Sequence, residues 1–227
     1  MTLQIEIIRA ICFDIDGTLN DTDDQYVRKI TPFFSAVKFL LPGKDAGKAA
    51  RRLVMWLEAP GNFLLGIPDV LGLDEQLARV IDRINKSNKR KIRNYQPIDG
   101  VSEMVKILSG HYPLAVVSAR SEETTRDFVV RNGLEKHFSV VVGSLTAEHT
   151  KPFADPILYA ANAMGVLPAE CLMVGDTVVD IKSGKAAGAQ TVGVLCGFGE
   201  EKELIKAGAD VILETTPALI DLLRKTD

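Results

Sequence analysis

The chain lacks any apolar run of about 18 residues, the length that a membrane-spanning helix needs, so no span is expected. It has only three cysteines, Cys12, Cys171 and Cys196, each within a short apolar run and none at metal-ligand spacing. They predict reduced core thiols in a cytoplasmic protein, not a disulfide framework or a zinc site. The histidines, His111, His137 and His149, are equally few; they are scattered, fit neither a metal set nor a triad, and are expected to be structural. No internal repeat or low-complexity stretch occurs. Positive charge is not in excess: the formal net charge is −3, which argues against a nucleic-acid partner. The first residues carry Glu6 and Arg9 among their apolar neighbours and do not read as a signal peptide.

What is present is an ordinary globular composition, 46% apolar and 25% charged, which suits a folded enzyme or binding protein. At 227 residues the chain exceeds one average domain, and it can bury a sizeable core without disulfides or a structural metal. The charge is unevenly spread. Residues 19–96 carry a net +5, which leaves −8 on the remainder. That asymmetry suits an anionic small molecule between the two parts, though a helical unit with solvated basic faces would look the same.

Two textures alternate along the chain. IIRAICF (7–13), PLAVVSA (113–119), FSVVV (138–142), CLMVG (171–175), QTVGVL (190–195) and DVIL (210–213) are short, rich in β-branched residues and apolar on both faces. Such runs predict strands of a parallel sheet buried on both sides. Helical patterns separate them. SEETTRDFVVRNG has Ser121 as its N-cap and Gly133 as its stop, PILYAANAMGV follows, VVDIKSGKAAG ends near Gly188, and TPALIDLLRK reads as a last helix. The fold class is therefore α/β, with a doubly wound parallel sheet over residues 1–19 and 97–227. Residues 20–96 show no convincing strand. Apolar residues recur at helical spacing in QYVRKITPFFSAVKFL, GKAARRLVMWLEA and DEQLARVIDRINKSNKRKI, around a Gly/Pro-rich loop, EAPGNFLLGIPDVLG. An all-helical unit inserted after the first strand cannot join the sheet. It is expected above the carboxyl ends of the strands, where open α/β sheets bind ligands.

The polar residues that close the predicted strands carry the chemistry. The first strand runs into Asp14, Ile15, Asp16, Gly17 and Thr18. Two carboxylates two residues apart, just beyond a buried strand, repel each other unless a cation or a polar cradle offsets them. Ser118 closes PLAVVSA, Lys151 stands in HTKP before a helix, and Asp176 and Asp180 sit in GDTVVD. Strand-end sites of one parallel sheet converge on one rim. Clustered carboxylates without histidine or thiolate favour a hard cation such as Mg²⁺, which shares its sphere with a substrate phosphate. A carboxylate nucleophile, a lysine and a hydroxyl are the parts that phosphoryl transfer uses for positioning and charge neutralisation. Each residue also has a plainer role open to it. Asp176 and Asp180 suit a helix N-terminus, Ser118 a helix cap and Lys151 the surface.

These motifs, in this order, resemble those of the haloacid dehalogenase-like hydrolases. DGTLNDT (16–22) is similar to the start of that family. Residues 151–199, from Lys151 to Gly199, resemble its phosphoglycolate-phosphatase-like branch almost throughout, and the insert stands where subfamily I has a helical cap. The resemblance implies a Mg²⁺-dependent phosphatase that forms an aspartyl-phosphate. Asp14 would be nucleophile and metal ligand. Asp16 would be general acid–base and would ligate the metal through its carbonyl. Thr18, Ser118 and Ala119 would bind the phosphoryl group, and Lys151 would neutralise charge between phosphate and Asp14. Asp176 would ligate Mg²⁺, and Asp180 would support it directly or through water. Arg120 is open between a phosphate contact and a helix start. In the insert, Arg51, Arg52 and Asn62 are candidates for the substrate's other end, Trp56 for its core, and the basic run from Lys86 to Arg93 for a solvated face. A small phosphorylated metabolite is the expected partner of a monomer or homodimer. A phosphomutase, or a non-catalytic binding protein on the same fold, is the alternative. A dehalogenase or phosphonate-cleaving relative is disfavoured by the second carboxylate, Asp16.

Overall fold

A computed structural model of the chain describes residues 3–21 and 95–224. The chain divides into two compact units, Met1–Gln25 with Tyr95–Asp227, and Tyr26–Asn94. The second lies outside the described residues. So do the three helical patterns expected between residues 20 and 96, the Gly/Pro-rich loop, Arg51, Arg52, Trp56, Asn62 and the run from Lys86 to Arg93.

The described unit is built on six parallel strands. They are β1 (Ala10–Phe13), β2 (Leu114–Val117), β3 (Val140–Val142), β4 (Cys171–Gly175), β5 (Gln190–Val194) and β6 (Val211–Leu213), in the order β3-β2-β1-β4-β5-β6. Cα partners such as Phe13 with Val116 and Phe13 with Val174 fix the register of the central three. Successive side chains of a strand point to opposite faces. Ile11, Phe13, Leu114, Val116, Leu172 and Val174 accordingly join one apolar cluster, and Ala10, Cys12, Ala115, Val117, Cys171 and Met173 the other. Helices cover both faces. The first cluster takes Val101, Met104, Val105 and Leu108 of α1 (Val101–Ser109), Phe128 and Val129 of α2 (Glu122–Arg131), and Leu219 and Leu223 of the terminal helix (Leu219–Arg224). The second takes Ile157, Ala160 and Ala161 of α3 (Asp155–Met164). α4 (Val178–Ala187) packs on α3, β4 and β5, and α5 (Glu201–Ala207) on β5 and β6; the terminal helix is α6. This is the doubly wound α/β sheet expected from the sequence.

The differences are local. The first strand starts at Ala10, not at residue 7, because Ile5–Ile7 forms a 3₁₀ turn that leaves Ile7 exposed. The outer strands β3 and β6 are only half-buried along most of their length, since each has a single sheet neighbour. Helices α1 and α5 were not among the patterns above. For α1 the signal is present in VSEMVKILS, whose buried residues 101, 104, 105 and 108 recur at helical spacing. The caps of α2 are as expected: the Ser121 hydroxyl accepts the amide of Thr124, and the helix ends at Asn132 before Gly133. Cys12 and Cys171 are buried free thiols, and Cys196 is a half-buried one.

The strand order reverses beside β1, with β2 on one side and β4 on the other. Open α/β sheets bind ligands at the carboxyl ends of strands at such a switch point. Asp14 leaves β1 there, and its amide donates to the carbonyl of Val174 at 3.0 Å.

Candidate active site

Asp14 is one residue beyond β1 and nearly buried. The Lys151 ammonium, also buried, donates to Asp14 Oδ1 at 2.7 Å and to Asp180 Oδ1 at 2.6 Å. A buried ammonium is costly alone. Here burial opposes the charge, but Asp14 and Asp180 outweigh it and push the pKa of Lys151 up. Asp14 moves in the same direction for a different reason. Burial lifts its carboxyl, Lys151 pulls against that, and Asp180 and Asp16 add to the rise, to about 7. The site holds more negative charge than its lysine balances.

Asp176, straight after β4, completes the group: carboxylate oxygens of Asp14, Asp176 and Asp180 all lie within 4.8 Å of one another. With Asp14 ionised, three buried carboxylates against one ammonium leave two negative charges, the number that a divalent cation would balance. The donors are all oxygen, as a hard cation prefers. Asp176 is held from several sides. Its Oδ2 accepts the amide of Phe198 at 2.7 Å, and its Oδ1 accepts the hydroxyl of Thr18 at 3.3 Å. Two glycines close against it: a Cβ at Gly17 would stand 2.3 Å from Asp176 Oδ2, and one at Gly197 2.1 Å. Gly17 also has φ +76°, where a side chain is strained.

Asp180 has two jobs. It is the third residue of α4 and closes a capping box: its Oδ2 accepts the Thr177 amide at 3.0 Å and the Thr177 hydroxyl at 2.6 Å. Its other oxygen holds Lys151. The helix-terminus role and the site role therefore coexist in one carboxylate.

Asp16 lies apart from that cluster, half-buried, and is gripped by Arg120, whose Nε donates to Oδ2 at 2.6 Å while Nη2 pairs with Oδ1. Arg120 thus takes a third role beyond the two left open by the sequence. Ser118 closes β2 and is buried; its Oγ accepts the Arg120 amide at 3.2 Å, which leaves the hydroxyl proton to donate elsewhere. Ala119 lies beside it, half-buried, in the loop between β2 and α2. Thr18 is fully buried, donates its hydroxyl to Asp176 and its amide to Ile15 O, and accepts from the Thr216 hydroxyl at 2.6 Å. What Thr18 does among the described residues is brace Asp176.

The structure therefore brings together Asp14, Lys151, Asp176, Asp180 and Thr18, and pairs Asp16 with Arg120 next to Ser118. Gly197 and Phe198 were not among the residues singled out from the sequence; their signal is the pair of glycines in CGFG just beyond β5. Of the histidines, His137 meets Ser109 Oγ at 2.7 Å, and His149 meets Asp155 at 3.0 Å and packs on Phe153. Glu148, His149 and Asp155 lie close enough together to share an ion, but Glu148 is exposed, the other two are only half-buried, and His149 is already bonded to Asp155. Among the described residues, no helix is long and apolar enough to cross a membrane.

A sequence profile described as "Haloacid dehalogenase-like hydrolase" matches residues 11–194, most of the chain, and the chain belongs to that family of hydrolases. Among its relatives, pyrophosphatase PpaX of Halalkalibacterium halodurans is 30% identical over 219 residues, covering 95% of this chain and 97% of the relative. Phosphoglycolate phosphatase of Escherichia coli is 25% identical, covering 97% of this chain and 94% of the relative. Among solved structures, a hydrolase from Pseudomonas syringae is similar with a TM-score of 0.69 at 22% identity, covering 96% of this chain and 99% of the other. A haloacid dehalogenase-like hydrolase from Streptococcus pneumoniae gives 0.68 at 23%, covering 96% and 99%. These two carry the fold.

Proposed function

We propose that this protein is a Mg²⁺-dependent phosphatase of a small phosphorylated metabolite, working through an aspartyl-phosphate on Asp14. The observation that carries the reading is the buried cluster of Asp14, Asp176 and Asp180 around Lys151, at the switch point of the sheet. The names of the relatives, a pyrophosphatase and a phosphoglycolate phosphatase, agree with it.

Asp14, Asp176 and Asp180 would hold the cation, with the Asp16 carbonyl as a further ligand. Because Asp180 already serves Thr177 and Lys151, Asp176 is the more direct ligand. When bound, Mg²⁺ supplies positive charge to the phosphoryl oxygens and to the carboxylates around them. Asp14 attacks phosphorus, a P–O bond to Asp14 forms and the bond to the leaving oxygen breaks. Asp16 enters the cycle protonated, with one of its two oxygens released from Arg120, and gives the leaving oxygen that proton. Water then attacks the phosphorus of the aspartyl-phosphate, Asp16 takes its proton, and Asp14 leaves as carboxylate beside inorganic phosphate. Lys151 neutralises charge between Asp14 and the phosphoryl group, and Ser118, with the backbone at Ala119, positions it. Thr18 acts at one remove, through Asp176. Residues 20–96, read from the sequence as a cap, carry a net charge of +5, which favours a substrate with a second anionic group.

The test is phosphate release from a panel of phosphorylated metabolites, with Mg²⁺ and with chelator, beside Asp14→Asn. Release that needs the metal and Asp14 supports the reading. Isomerised sugar phosphate without free phosphate would replace it with a mutase. An unchanged cellular phenotype in the inactive variant would replace it with a binding protein.

A further inference from the structure

Arg120 is a cation with donors to spare. Its Nε and Nη2 are engaged by Asp16, but Nη1 is buried and has no hydrogen-bond partner among the described residues. The guanidinium is pinned in place. Its carbon lies 5.5 Å from the ring centroid of Tyr95, a cation–π contact. Tyr95 is itself fixed: its hydroxyl donates to Asp127 Oδ2 at 3.1 Å, and its ring meets Phe128 edge-on at 5.4 Å. An N–H withdrawn from water and left unpaired costs free energy, the more so on a charged group. Such a donor in an active site suits an anionic oxygen that arrives with the substrate.

The position says which oxygen. The Arg120 amide bonds Ser118 Oγ at 3.2 Å, and its guanidinium grips Asp16. If Asp16 protonates the leaving oxygen, the guanidinium that pairs with Asp16 lies near whatever that oxygen is attached to. We propose that Arg120 is a specificity-determining residue, and that its unpaired Nη1 receives a second anionic group lying one or two bonds from the leaving oxygen. The substrate class is a phosphoanhydride or a phosphoester of a 2-hydroxy acid, in place of a neutral sugar or alkyl phosphate. This rests on the phosphatase reading above and adds its substrate class.

The test compares kcat/KM for 2-phosphoglycolate, pyrophosphate and ethyl phosphate in wild type, Arg120→Gln and Arg120→Lys. Any loss from a disturbed Asp16 falls alike on 2-phosphoglycolate and ethyl phosphate, whose leaving groups are both alkoxides, and cancels in their ratio; pyrophosphate has the better leaving group, so its response is read against its own wild-type value. Wild type prefers the anionic substrates, and Arg120→Gln lowers that ratio about 100-fold, the scale for losing one partner of a buried charged hydrogen bond. Arg120→Lys keeps the charge without the planar fork and recovers part of the ratio. The two anionic arms tell a carboxylate from a phosphate as the preferred group. A ratio that stays the same in Arg120→Gln, or a wild type without preference, overturns the proposal. A second readout needs no turnover: calorimetric binding of 2-phosphoglycolate and ethyl phosphate, with Mg²⁺, to Asp14→Asn and to Asp14→Asn/Arg120→Gln. The proposal expects the second change to weaken only the anionic ligand, and equal weakening of both overturns it. Turnover that survives in Asp14→Asn would refute the aspartyl-phosphate reading alone, because the binding comparison still decides for Arg120.

Discussion

Replacing Gly197 by alanine adds one methyl group at the place where the site has no room for it. The new Cβ would stand 2.1 Å from Asp176 Oδ2 and 2.4 Å from its Cγ. Ordinary contact begins at 3.4 Å, so the carboxylate or the loop must give by about 1.3 Å, and a misplacement of about 1 Å costs roughly 100-fold in rate. Asp176 cannot yield freely, because Phe198 N and Thr18 Oγ1 hold its two oxygens. The Mg²⁺ concentration for half-maximal activity should therefore rise about 10- to 100-fold, the usual scale for a residue that supports a metal ligand. Overpacking should also cost about 1–3 kcal/mol of stability. Two other glycines separate the causes. Gly133 has φ +66° and no described residue within 4 Å of where a methyl group would stand, so its alanine variant meets backbone strain alone, roughly 1 kcal/mol, and keeps wild-type Mg²⁺ dependence. Gly17 combines φ +76° with a 2.3 Å clash on the same oxygen, so its variant shows both losses. The assay is initial phosphate release against Mg²⁺ concentration, with melting curves of all three variants. If Gly197→Ala is saturated by the wild-type Mg²⁺ concentration at the wild-type rate, Asp176 does not ligate the metal.

Three further outcomes are expected. Lys151→Met leaves Asp14 and Asp180 facing each other without their shared ammonium; kcat/KM should fall about 1000-fold, and Mg²⁺ should raise the melting temperature more than in wild type, which an equal rise would refute. Asp14, pushed up to about 7, keeps in the folded state a proton that the unfolded chain releases near 4. Its contribution to the stability of the metal-free protein therefore falls as pH rises from about 4 to 7. Because metal binding displaces that proton, Mg²⁺ should raise the melting temperature more at pH 8 than at pH 5; a pH-independent rise would count against it, and Asp14→Asn should remove the dependence. Away from the site, Asp210 joins β5 to β6: its Oδ2 accepts the Thr191 amide at 2.9 Å and the Thr191 hydroxyl at 3.1 Å and pairs with Lys185. Burial works against that charge, but Lys185 and Thr191 outweigh it and hold the pKa below the usual carboxylate range, so the stabilisation is present above about pH 4 and is lost as pH falls through the lowered value. Asp210→Asn should cost about 2 kcal/mol in denaturant unfolding at pH 7 with normal kcat, and a loss of kcat instead would refute the separation.

Sequence and structure each account for a distinct share of this protein. The six strands are legible because runs such as CLMVG and LAVV are apolar on consecutive residues, which only a strand covered on both faces requires. The candidate site is legible for the same reason: residues that follow buried parallel strands must emerge on one rim, so Asp14, Ser118 and Asp176 point to a common site before any coordinate is known. The edges are less legible. Ile7 belongs to an apolar run yet lies outside β1, because an edge is decided by what packs against it and not by the residue itself.

Tertiary structure alone decided the partners. Arg120 and Asp16 are 104 positions apart, and Lys151 and Asp14 are 137 apart. No local periodicity encodes such pairs, because side-chain pairing at that separation depends on how strands order themselves across the sheet. That Thr18 serves Asp176, that Asp180 both caps α4 and holds Lys151, and that Arg120 keeps one buried nitrogen without a partner among the described residues follow from the same cause. The sequence by itself determined which residues reach the rim, since strand periodicity is local. Which of them touch was decided when β1 took its place between β2 and β4, because only that packing sets the distances on which charge and hydrogen bonding depend.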